Sequence, residues 1–77
     1  MDAAVRRALD ALSAGDESEI REALHPYLHY TRADGTVLRG RARLLAELDG
    51  RVPPAPASVE LRDGQIYRWV APPATEN

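Results

Sequence analysis

Both histidines and two of the three tyrosines of this 77-residue chain fall within residues 25–40, H-P-Y-L-H-Y-T-R-A-D-G-T-V-L-R-G. His29 is the sharpest candidate for chemistry. Imidazole titrates close to neutrality, so a histidine lining a concavity can serve as acid/base or hydrogen-bond a ligand carbonyl. On a face turned outward, the same residue is a surface or interface histidine stacked among tyrosines. A strand's direction decides between the two, and a shift of one residue reverses it.

His25 stands before Pro26, where a helix must stop. Its expected role is local, a hydrogen bond to the end of that helix, because helix C-termini favour a nearby histidine. Pro26 also excludes the helix that would align His25 and His29 as a metal pair. No metal-ligand cluster, phosphate-binding loop, nucleophile elbow or cysteine is present, and no cofactor is expected.

Tyr27, Tyr30, Tyr67 and Trp69 have apolar rings with polar tips. They suit either the lining of a small pocket for an apolar or aromatic ligand or a subunit interface. Tyr30 shares a strand face with Leu28 and is expected in the core. Tyr67 and Trp69 share one with Glu60, Arg62 and Gln65, so these three residues, Tyr67, Trp69 and Glu60, are expected at an interface. Arg68 interrupts an apolar face. It is either an anion-binding residue in a pocket, beside Tyr27 and Tyr30, or an ion-paired or snorkelling side chain at the sheet rim.

These residues must be positioned by a short list of elements. Val5, Ala8, Leu9 and Leu12 form one apolar stripe of a helix over residues 2–14, with Gly15 as its cap. Asp16 followed by Glu19 resembles a capping box and opens a second helix that ends near Leu24. Residues 27–32 alternate as a strand, Asp34-Gly35 reverses the chain, and Thr36-Val37-Leu38 returns. Gly40 leads into a third helix with Leu44, Leu45 and Leu48 on its buried side, ending at Gly50. R-V-P-P-A-P-A, residues 51–57, is a stiff extended connector. A hairpin then turns at Asp63-Gly64. A two-residue turn pairs Glu60 with Tyr67, Val59 with Arg68 and Ser58 with Trp69, which places Val59, Leu61, Ile66 and Val70 on the core side. Residues 72–77 form a flexible tail after a single domain spanning 1–71.

A chain this short buries only about 60% of its unfolded surface, and without disulfides or a structural metal an oligomer interface is the usual supplement. A homodimer is therefore expected. The net charge of −2 gives no basis for nucleic-acid binding. No run suits a signal peptide or a membrane span, so the expected setting is the cytoplasm. The Ala, Arg and Pro bias resembles that of GC-rich bacterial coding.

The segments A-L-D-A-L-S-A-G-D (8–16), L-H-P-Y (24–27), D-G-T-V-L-R-G-R (34–41) and V-E-L-R-D-G-Q-I-Y-R-W (59–69) follow one another in the order found in the NTF2-like superfamily. They are most similar to its SnoaL-like and ketosteroid isomerase-like branch. The resemblance implies an α+β cone in which a curved antiparallel sheet wraps helices around a pocket, and a homodimer that packs sheet on sheet. Compared with the family, the 51–57 connector replaces a hairpin, so the cone is a reduced one. In the isomerase branch the general base is an Asp in a D-P-D-G-like context. Here Arg32 and Ala33 stand where D-P would be, and that base does not carry over. The leading expectation is a small-molecule-binding or accessory domain without a catalytic constellation. The alternatives are a small cyclase or isomerase using His29 on an apolar carbonyl substrate, and a dimerisation or interaction module.

Overall fold

The computed structural model describes residues 2–73, in the order α1 (Ala3–Ala14), α2 (Glu17–Ala23), β1 (Leu24–Thr31), β2 (Val37–Arg39), α3 (Arg41–Leu48), β3 (Ser58–Arg62) and β4 (Gln65–Val70). Local signals account for the helix boundaries. The Asp2 carboxylate accepts from Ala4 N at 2.8 Å at the start of α1. Gly15, at φ 66°, ends that helix in the left-handed region. Asp16 accepts from Glu19 N at 3.2 Å and begins α2. The expected tail begins at Pro72, and residues 74–77 lie outside the described residues.

The four strands form one sheet in the order β2-β1-β4-β3. Two antiparallel hairpins, β1–β2 and β3–β4, are joined by a parallel β1–β4 pairing at the centre. The sheet is therefore mixed, which corrects the expectation of an antiparallel one. Both hairpins are local and readable, whereas the parallel seam joins strands far apart in sequence. The seam is irregular between Leu24 and His29, where Pro26 has no N–H to give to the ladder. β1 itself begins at Leu24, three residues before its expected start at Tyr27.

All three helices cover one face. Leu24, Leu28, Tyr30 and Leu38 of the first hairpin, with Ile66 and Trp69 of the second, join Val5, Ala8, Leu12, Ile20 and Leu44 in a single core. Leu45 and Leu48 pack against it only partly buried. Arg7 ties α1 to α2 through Glu19 at 3.1 Å and Glu22 at 3.2 Å. Among the described residues no helix is long and apolar enough to cross a membrane.

The second hairpin departs from its expected register. Arg62 pairs with Gln65 and Leu61 with Ile66, as a two-residue turn requires, but Glu60 then pairs with Arg68 and Val59 with Trp69. Tyr67 is the extra residue of a β-bulge. A bulge resets the alternation, so Ile66 and Trp69, three apart, both face the helices with 0% exposure. Val70 turns outward into a row with Thr31, Val37 and Ser58, and Leu61 stays 45% exposed. Trp69 is thus a core residue, and its expected place at an interface is corrected.

Candidate functional site

A groove of about 440 Å³ runs along the outer side of α1 past Arg6, Asp10 and Glu19, and a second concavity lies on the helix side of the sheet, at the end of the domain where the 51–57 connector passes. It is a cleft of about 310 Å³ between α3, the β1–β2 hairpin and the proline connector. Leu38, Leu44 and Leu48 make one wall, Val52, Pro53 and Pro54 the other. Tyr30, Arg32, Glu47 and Arg51 supply its polar groups. The stiffness of Pro53-Pro54 holds the second wall away from α3. At the low end of the size range for ligand pockets, with mostly apolar walls and a few polar groups, the cleft has the make-up of a small-molecule site.

The polar groups are placed by β1 and the end of α3. Alternation puts Leu28 and Tyr30 on the same side of β1, and Arg32 follows just past the strand's end, its backbone N–H donating to Thr36 O at 2.8 Å across the turn. Tyr30 is 7% exposed and packs on Trp69, with ring centroids 6.1 Å apart. Burial raises the Tyr30 phenol above its ordinary value of 10.0, while the Arg32 guanidinium acts in the opposite sense. The phenol therefore stays protonated at neutral pH and can donate a hydrogen bond. Among the described residues no protein group takes it.

The two arginines of the cleft differ. Arg51 gives Nε to the Leu48 carbonyl and an Nη to the Glu47 carbonyl, both at 2.9 Å, and so caps the end of α3. Arg32 has one long contact, Nη2 to Glu47 Oε1 at 3.4 Å, and its buried Nε has no partner among the described residues.

The residues singled out in the sequence divide between the two faces of the sheet. Tyr30 alone reaches the cleft. His29, Tyr27, Tyr67, Arg68 and Glu60 lie on the opposite, helix-free face, where cross-strand pairing sets Arg39, His29, Arg68 and Glu60 in one row. His29 therefore does not converge with Tyr30 on a concavity, which removes the arrangement an acid/base role in the cleft requires. Arg68 pairs with Glu60 at 3.5 Å, both side chains exposed. The bulge brings them to the same face, correcting the inward position expected for Arg68, which does not line the cleft. Tyr27, 72% exposed on that face, is likewise not a cleft residue.

Tyr67 gathers its neighbours on this outer face. The rings of His25 and His29 each meet it edge-on at 5.1 Å, and the Arg62 guanidinium lies 4.3 Å over its centre. His29 Nδ1 is buried with no partner among the described residues. His25 accepts from Tyr27 N at 3.0 Å. It thus bonds forward into β1 and not back to α2, as had been expected. The last α2 carbonyls are served instead by Gln65, 2.8 Å from Arg21 O, and by Arg41, 3.2 Å from Arg21 O and 3.1 Å from Leu24 O. Among the described residues no three or more His, Cys, Asp or Glu side chains gather as a metal site.

The cleft residue with an unsatisfied donor that sequence reasoning passed over is Arg32. It was read as the replacement for an absent carboxylate. The available signal was its position two residues after the core-facing Tyr30, just past the end of β1. Compared with family models, curated proteins and solved structures, the chain matches none.

Proposed function

We propose that this chain is a reduced NTF2-like domain that binds a small, largely apolar or aromatic molecule and works as a binding or accessory domain. The reading rests on the cleft, whose leucine and proline walls surround the protonated Tyr30 phenol. The test is a two-dimensional amide NMR titration with a panel of one- and two-ring aromatic fragments. Binding shifts Tyr30, Leu38, Leu44 and Leu48, and Leu48→Trp, which fills the cleft, abolishes the shifts. If no fragment moves these resonances, or if the filled variant titrates like the wild type, the reading is wrong.

A homodimer through the helix-free face belongs to the same proposal. The observation that favours it is the exposed apolar surface there, with Tyr27 72% and Val37 47% exposed. Light scattering at micromolar concentration gives a dimer, and Val37→Glu gives a monomer. A folded wild-type monomer removes this part alone.

A further inference from the structure

We propose that the cleft selects ligands carrying a carboxylate, held by the Nε/Nη2 edge of Arg32 with the Tyr30 phenol as a second donor. This deepens the binding reading above and rests on it. The argument begins with the two guanidinium groups of the cleft. The edge formed by Nε and one Nη is suited to paired hydrogen bonds with a carboxylate. In Arg51 that edge is committed to the Leu48 and Glu47 carbonyls at 2.9 Å each. In Arg32 the corresponding edge holds a 3.4 Å contact at Nη2 and a buried Nε–H with no acceptor among the described residues.

A buried donor left without a partner is costly, and a charged one is satisfied best by an anion. Among the described residues Glu47 is the only carboxylate lining the cleft, and it meets Arg32 through a single oxygen while its side chain is 50% exposed. It can swing to solvent at little cost, because exposed ion pairs contribute little. A ligand carboxylate would then take both donors of the edge where Glu47 takes one. The rest of the ligand would lie along Leu38, Leu44 and Leu48, opposite Pro53 and Pro54. Tyr30, on β1, and Arg32, one residue past the end of that strand, both line the cleft, and the Tyr30 phenol remains a donor at neutral pH. The class of ligand is therefore a small aromatic or alicyclic carboxylic acid in its ionised form.

The experiment compares 2-naphthoate with its neutral counterpart 2-naphthamide on the whole chain. It follows amide shifts for affinity and the Arg32 Nε–Hε resonance for the contact. The expected result is binding of naphthoate tighter than naphthamide by about tenfold or more, with the Arg32 resonance moving only for naphthoate. Arg32→Gln weakens the acid far more than the amide and so removes most of the difference between them. Glu47→Gln, which removes the competing charge, tightens the acid and not the amide. If acid and amide bind the cleft equally and Arg32→Gln alters neither, the carboxylate proposal is overturned while the binding reading stands. An acid that binds without moving the Arg32 resonance overturns it too. If neither probe binds while other aromatic fragments still enter the cleft, the carboxylate proposal falls alone. If nothing enters the cleft, both fall.

Discussion

Replacing Trp69 separates a core residue from an interface residue more sharply than any other change in the second hairpin. Its side chain is fully buried within one protomer, against Tyr30 and the helix layer. A buried tryptophan removes roughly 150–250 Å² from water, worth about 4–6 kcal/mol at 25 cal/mol per Å². Truncation to alanine costs about 3–5 kcal/mol once partial collapse of the cavity is included. At about 0.05–0.15 kcal/mol per residue, a domain of 77 residues has roughly 4–12 kcal/mol in total. Trp69→Ala therefore consumes about a quarter or more of the stability, and at the lower end of that range it leaves the chain unfolded.

Trp69→Phe behaves differently. It loses ring volume but also removes the indole N–H, which is buried without a partner among the described residues. Relief of that orphan donor, about 1–3 kcal/mol, offsets much of the lost packing, and the net change is within about 1 kcal/mol. Urea unfolding followed by far-ultraviolet circular dichroism measures both variants. With a slope of about 1 kcal/mol per M for a small domain, Trp69→Ala lowers the midpoint by roughly 3 M or more. Trp69 is the single tryptophan, so the emission of the folded wild type is blue-shifted and shielded from iodide. The reasoning is refuted if Trp69→Ala retains the wild-type midpoint and changes only the association state, or if iodide quenches the folded protein freely.

Asp34 carries a pH signature. Its carboxylate accepts from Thr36 N at 2.9 Å and Thr36 Oγ1 at 2.7 Å, and the backbone bond, then the hydroxyl, hold it below its ordinary value of 3.8. A depressed carboxylate stabilises the fold above its unfolded value. That contribution is lost as pH falls from 3.8 through the lower folded value. Carbon-detected NMR titration should give a value below 3.8, and Asp34→Asn should flatten the stability profile over that acid window. An unshifted titration sinks the assignment. Gly64, at φ 79°, follows Asp63 at φ 54° in the β3–β4 turn. A Cβ there would meet nothing within 4 Å, so Gly64→Ala should cost only the conformational strain, about 1–2 kcal/mol. A neutral effect in urea unfolding would mean that the turn relaxes.

The helices, both turns and the order of elements were legible because each is written within a few residues: an apolar stripe ending at Gly15, Asp16 beside Glu19, Asp-Gly between alternating runs. The inward side of β1 was legible for the same reason, and Leu28 and Tyr30 are buried as alternation requires. Alternation in β4 failed at a single point. Tyr67 occupies one more position than its partner strand has, and nothing local distinguishes a bulged tyrosine from a paired one. That one residue moved Trp69 into the core, turned Val70 outward and brought Arg68 beside Glu60.

The candidate site was legible to the extent of one residue, Tyr30. Residues near in sequence supplied the elements and their faces, because backbone conformation and hydrophobic period are local properties. The parallel β1–β4 seam and the cleft of Tyr30, Arg32, Arg51 and the proline connector depend on distant segments meeting. Their geometry comes from packing the helices on a shared sheet, and so does the contrast between a satisfied Arg51 and an unsatisfied Arg32. Nothing in either residue's immediate neighbours records which donors the folded chain will leave without an acceptor.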